Sequence, residues 1–195
     1  MKPGPLKLNL GSGNKRIPGY TNVDYSEECG PDVVADLERI PWPFESNSVS
    51  NVIMSHVLEH LGQSPRIFLQ VMQELYRICV NGALIQITVP HPSHDHFLSD
   101  PTHVRSITPL LLALFDREQN LIWRKAGAAN SPLALQCNVN FKVIKTEHTL
   151  DPQAADRLKK LNERDPMLAE ILLNHGRNII QETSYAVQVM KEQDE

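Results

Sequence analysis

Seven apolar runs of strand length, set among segments of helical periodicity, constrain this chain to an α/β architecture with a mainly parallel sheet. The runs are Leu6 to Leu10, Thr21 to Asp24, Asp32 to Ala35, Val49 to Ser55, Ala83 to Val89, Phe141 to Thr149 and Ile179 to Met190. Ser64-Pro65 offers an N-cap with proline at the first helical position. Phe68, Val71, Met72, Leu75 and Cys79 then recur at helical spacing, which buries one face. Asn81-Gly82 is the expected end of that helix, His56 to His60 the expected start of another, and Leu110 to Phe115 a further helical stretch. Asp151-Pro152 and Asp165-Pro166 each cap a helix, giving a helical hairpin that Gly176 ends. The simplest account is a single domain over residues 1–195: a three-layer, doubly wound, mostly parallel seven-stranded sheet with a helical insertion (151–176) before its last strand.

A formal charge of −4 and scattered basic residues argue against a nucleic-acid backbone as partner, which needs clustered Lys and Arg. The densest basic group, Arg157, Lys159 and Lys160, reads as a solvated helix face. No stretch reaches the ~20 apolar residues of a membrane helix, and MKPGPLKLNL lacks the apolar core of a signal peptide, so a cytoplasmic location with no membrane partner is expected. Cys29, Cys79 and Cys137 lack metal-site spacing and read as reduced thiols.

Gly11-Ser12-Gly13 directly follows the first strand. There the backbone can turn tightly and approach a ligand, in the crevice where doubly wound folds bind cofactors. Asp24 ends the next strand, so its carboxylate belongs to the same crevice and suits the two hydroxyls of a ribose. Position 16 is Arg rather than a third glycine, and Asp24 comes too soon after Gly11 for the dinucleotide fingerprint. Classical NAD binding is disfavoured.

Taken in order, LKLNLGSG, NVD, ADLERIPWPFESNSVSNVIMSHVLEHL and RICVNGALIQITVP resemble the consecutive motifs of class I S-adenosylmethionine-dependent methyltransferases, over roughly residues 5 to 120. The resemblance implies a Rossmann-like methyltransferase fold and S-adenosylmethionine as cofactor. Matched position by position, Leu10, Gly11, Ser12 and Gly13 would wrap its methionine part. Asp24 would hold the ribose, with Tyr25 beside the adenine. Asp36 and Leu37 would lie against the adenine, and Ser55 and His56 would floor the reactive sulfonium. A turn or N-cap role for Asp36 stays open. Only residues 11–20, with Pro18-Gly19 among them, join the first two strands, so the usual first helix must be a single turn or missing. That shortening resembles a subgroup of short bacterial methyltransferase-like proteins with a G-x-x-x-x-P-G-Y-x-N-x-D pattern.

Six of the eight histidines lie between residues 56 and 103, and HPSHDHFLSDPTHVR follows the fifth strand, where an acceptor would approach the methyl group. Three readings stay open. In the first, His91, His94 and His103 are catalytic: methyl transfer needs an aligned, deprotonated nucleophile, a proton that histidine can take near neutrality, and Arg105 would hold an anionic acceptor. In the second, His56, Glu59 and His60, spaced to share a helical face, bind a divalent metal, closer to zinc or manganese than magnesium, with His91, His94, Asp95 or His103 completing the set. In the third, Asp100 caps a turn while His103 and Arg105 pin the loop. Trp42, between two prolines, reads as packing.

The whole-protein expectation is a methyltransferase acting on an oxygen or nitrogen of a small polar acceptor. A catalytically degenerate cofactor-binding or interaction protein and a metal-dependent hydrolase are the alternatives. The hairpin over 151–175 would cover the acceptor site or make a homodimer contact.

Overall fold

A computed structural model describes residues 4–191. Its strands are β1 (Leu6–Leu10), β2 (Thr21–Asp24), β3 (Val33–Val34), β4 (Val49–Ser55), β5 (Cys79–Pro90), β6 (Phe141–Leu150) and β7 (Ile180–Val189). The helices are α1 (Pro65–Ile78), α2 (Asp95–Leu98), α3 (Pro109–Ala113), α4 (Arg117–Lys125), α5 (Leu133–Cys137), α6 (Pro152–Asn162) and α7 (Pro166–His175), with single 3-10 turns at Glu27–Cys29 and Leu58–His60. The strands form one seven-stranded sheet in the order β3-β2-β1-β4-β5-β7-β6. The first five are parallel, and β7 runs antiparallel between β5 and β6. Strand order reverses between β1 and β4, so a crevice opens at their carboxyl ends.

The period-2 alternation of strands sends Leu8, Leu10, Val52, Met54, Ile85, Ile87, Tyr185 and Val187 into one core. Phe68, Val71, Met72, Leu75 and Ile78 of α1 complete it, and Phe68 meets Phe115 edge-on beyond α3. The alternate positions, such as Asn51 and Ile53 of β4 and Leu84 and Gln86 of β5, stay half-buried or exposed. The α/β sheet is as expected. The second helical layer of a doubly wound fold, however, is reduced, because residues 11–20, 25–32 and 35–48 carry no α-helix. The first connection only reaches the lower end of the ~10–12 residues that a crossover with its helix takes and contains Pro18-Gly19, the second falls short of it, and the third contains the helix-breaking Pro41 and Pro43.

A polar network takes the place of the missing helix. The Asn9 side chain donates to the Lys15 carbonyl at 2.9 Å and to Asn22 Oδ1 at 3.0 Å, and Ile17 N donates to the same Asn22 oxygen. Asn22 donates from its backbone and its side chain to Asp32 Oδ2, and Arg16 clamps the Gly30 carbonyl and Asp32.

Two sequence expectations need correction. The helix α1 ends at Ile78, with Cys79 already extended, while Asn81-Gly82 falls inside β5, where the register with β4 shifts between Val49 and Asn51. His56 to His60 does not start an α-helix: His56 has φ 56, and only a 3-10 turn follows. The hairpin is as read, with Asp151 accepting from Gln153 N and Ala154 N and Asp165 from Leu168 N.

Candidate cofactor site

Gly11 leaves β1 with φ 64, and a Cβ there would sit 2.4 Å from Val57 Cγ2, so only glycine lets the loop close over Val57. Gly13 has φ 48 and donates its N–H to Asp24 Oδ2 at 2.8 Å. Asp24, buried at the end of β2, also accepts from Ser26 N at 3.0 Å. Each carboxylate oxygen keeps further acceptor capacity, so the side chain can hold the loop and a ligand hydroxyl together. Beside these groups lies a cavity of about 450 Å³, lined by Gly11, Gly13, Asp24, Tyr25, Ala35, Asp36, Leu37, His56, Val57, His60, Leu61 and Thr102.

Seven of the ten expected cofactor contacts line this cavity, while Leu10, Ser12 and Ser55 do not. Leu10 is fully buried beneath the loop, Ser12 contributes its backbone N–H to the Val23 carbonyl, and Ser55 is exposed. Tyr25 is 78% exposed and offers a free ring face. Asp36 lines the cavity and also caps a turn through Glu38 N at 2.9 Å while pairing with Arg39, so the turn role left open for it is present. Trp42 is buried and donates from its indole to the Leu37 carbonyl, a packing role that fixes the cavity wall.

The left-handed His56 is held by its N–H to the Thr88 carbonyl. Its imidazole lies between two carboxylates, with Nε2 3.1 Å from Glu182 Oε1 and Nδ1 3.5 Å from Glu59 Oε1. Glu59 chiefly, and then Glu182, raise its pKa against the opposing effect of burial. His56, Glu59 and His60 therefore do not share a helical face. Glu59 is buried and turned inward, and the third side chain that approaches it together with His60 is His103.

The histidine-rich segment after β5 is split between two places. Val104 N and Arg105 N both donate to the Glu59 carbonyl, which docks the D-P-T-H-V-R stretch on the 3-10 turn. Asp100 Oδ1 accepts from Thr102 N and from its hydroxyl. Arg105 donates to the Gly62 carbonyl at 2.8 Å, and its guanidinium sits 4.2 Å above the Phe68 ring, where burial lowers its pKa. Arg105 and Asp100 thus pin the loop, and Arg105 does not line the cavity. His94 is buried and caps α2 through His96 N. It faces a second cavity of about 640 Å³ between α2 and the α6–α7 hairpin, which shares no residue with the first. His91 packs edge-on against His148, and burial, with the nearby His148 and His94, lowers its pKa.

Glu182, Thr102, Val57 and Leu61 escaped the sequence reading. Glu182 belongs to the alternate face of β7, and only the pairing of Pro90 with Glu182 brings it to His56. Val57 and Leu61 look like ordinary members of an apolar run.

No family model matches the chain, and no curated protein matches it. Solved structures do. A SAM-dependent methyltransferase from Archaeoglobus fulgidus is similar over 96% of this chain and 87% of its own, with a TM-score of 0.62 and 17% identity. A second, from Methanosarcina mazei, covers 98% and 95%, with a TM-score of 0.52 and 13% identity. The cyclase SpnF is similar over 98% of this chain and 78% of its own, at a TM-score of 0.53 and 12% identity, so one scaffold carries more than one chemistry. No helix of the described residues is long and apolar enough to cross a membrane. The strand order, the antiparallel β7 and the glycine loop facing Asp24 give this chain the fold of the class I S-adenosylmethionine-dependent methyltransferases.

Proposed function

We propose that the protein is an S-adenosylmethionine-dependent methyltransferase acting on a hydroxyl or amine of a small polar acceptor. The observation that carries this reading is the convergence, at the sheet's switch point, of a left-handed glycine loop, the buried Asp24 carboxylate and the Asp36–Leu37 wall around one cavity. These residues fit the cofactor: Gly11 and Gly13 leave backbone bare for close approach, Asp24 retains lone pairs for a ribose, and Leu37 and Tyr25 offer apolar surface to a base. The bound cofactor would supply an already activated methyl group, leaving the protein to align the acceptor and take its proton. His56, which lines the cavity just after β4 and pairs with Glu182 of β7, would orient that acceptor.

Calorimetric titration with S-adenosylhomocysteine tests the reading, with Asp24→Asn and Asp24→Ala alongside. Wild-type binding, weakened at least ~10-fold in both variants as the loss of charged hydrogen bonds requires, is the expected result. Binding indifferent to Asp24 would overturn the site, and no binding by a folded wild-type protein would overturn the function. The helix-free first crossover favours a second reading, a protein that holds the cofactor without turnover. Methylation of any member of an acceptor panel removes that reading.

A further inference from the structure

Glu59 is the most conspicuous polar group that the cofactor reading leaves unused. It is fully buried, yet neither carboxylate oxygen has a hydrogen-bond partner among the described residues. The nearest imidazole nitrogen, His56 Nδ1, stands 3.5 Å away, too far for a hydrogen bond of ordinary strength. An unsatisfied buried carboxylate is costly, and an ion is one of the few partners that would remove the cost.

Two imidazoles share its neighbourhood. Glu59, His60 and His103 each present a donor atom, and the three atoms lie within 4.8 Å of one another. The surrounding hydrogen bonds fix the tautomers of both rings. His103 Nδ1 lies 2.8 Å from the Phe97 carbonyl; a carbonyl only accepts, so Nδ1 carries the proton and, in the neutral ring, Nε2 keeps its lone pair. His60 Nδ1 lies 2.9 Å from Thr102 Oγ1. The Thr102 hydroxyl sends its only proton to Asp100 Oδ1 at 2.6 Å, so it accepts from His60, and His60 Nε2 is left unprotonated as well. An imidazole held by its other N–H to a carbonyl or a carboxylate-backed group is the usual support of a metal-ligating histidine.

We infer that Glu59, His60 and His103 form a site for one divalent transition-metal ion, with Thr102, Asp100 and the Phe97 carbonyl as its supporting shell. Two nitrogens and one carboxylate oxygen suit zinc or a neighbouring first-row ion better than magnesium or calcium. Three protein ligands leave a coordination position open, as catalytic rather than structural sites do. His60 and Thr102 also line the cofactor cavity, so the site borders the space where an acceptor would lie, and an oxygen donor is the ligand class it would take. That role rests on the methyltransferase reading, whereas the binding of the ion does not.

The test uses the full chain, stripped with a chelator and titrated with zinc and with cobalt, following heat and the visible absorption of cobalt. One equivalent is expected to bind, with the binding abolished in His103→Ala and in Glu59→Gln. Thr102→Val, which removes the hydroxyl that links His60 to Asp100 and leaves the three ligands in place, is expected to weaken it about 10–100-fold, and His91→Ala to leave it unchanged. Circular dichroism reports folding; should Glu59→Gln fail to fold, the half-buried His103 carries the comparison. Absence of stoichiometric binding by the wild-type protein, or equal binding by His103→Ala, overturns the site. Because S-adenosylhomocysteine is titrated separately, failure here leaves the cofactor reading intact.

Discussion

Gly11 and Gly13 look alike in the sequence and are held by different constraints. Both have positive φ, a conformation costing about 1–2 kcal/mol for other L-residues. Only at Gly11 does a Cβ also collide, 2.4 Å from Val57 Cγ2, whereas at Gly13 nothing lies within 4 Å. Gly11→Ala therefore adds an overpacking cost of about 1–3 kcal/mol to the backbone cost, and Gly13→Ala does not. Urea denaturation is expected to rank Gly11→Ala well below Gly13→Ala, and Gly11→Ala/Val57→Ala to recover the difference relative to Val57→Ala. Equal destabilisation by the two single changes would show that the loop does not close on Val57. The pair also marks the limit of sequence reading at the site. The loop and Asp24 were legible as a local pattern, but the reason for Gly11 lies in Val57, which the sequence presents as one more apolar residue in a helix start that does not form.

At the scale of elements, the apolar runs located all seven strands, with the buried alternation plain in β7, whereas β6 buries only Phe141 and β5 begins at Cys79, four residues before the run that marked it. The caps of α1, α6 and α7 were legible because Ser64, Asp151 and Asp165 each precede a proline. The helix α4 was not: REQNLIWRK buries only Asn120, so no apolar stripe announces it. Asn120 holds it instead by donating to the Leu114 carbonyl and accepting from Ala134 N. Polar anchoring of this kind also replaces the first crossover helix, and its sign can be tested. Asp32 has its pKa lowered to about 2, first by the Asn22 backbone N–H, then by the Asn22 side chain and Arg16. The unfolded value is near 3.9. A depressed folded pKa means that the ionised form stabilises the fold above pH ~4, and that this contribution disappears as pH falls through about 2. The stability difference between wild type and Asp32→Asn is therefore expected to hold between pH 5 and 7 and to shrink from about pH 4 downward. A difference that stays flat from pH 5 down through about pH 2 would mean that Asp32 is no more tightly held when folded than when unfolded.

At the scale of the molecule, the sheet places two cavities at its carboxyl edge and joins them through β7, whose Glu182 faces His56 while the turn before the strand carries Arg177 and Asn178 to Asp95. The hairpin α6–α7 builds only the second cavity. Its two helices pack mainly on each other, and Met167, Leu168, Ile171, Leu172 and Leu173 stay substantially exposed. The strands beneath it close without its help, since Asp151 N donates to the Ile179 carbonyl at 2.9 Å and β6 and β7 pair along their length. Replacing residues 152–175 by a short glycine-containing turn is therefore expected to leave a protein that unfolds cooperatively, with a lower dependence on denaturant because less surface is exposed on unfolding. Its affinity for S-adenosylhomocysteine should equal that of the full chain, because no hairpin residue lines the Gly11–Asp24 cavity. If methyl transfer fails in the shortened protein while cofactor affinity holds, the hairpin belongs to the acceptor side of the site. Loss of cofactor affinity in a cooperatively folded deletion would instead show that the two cavities act as one.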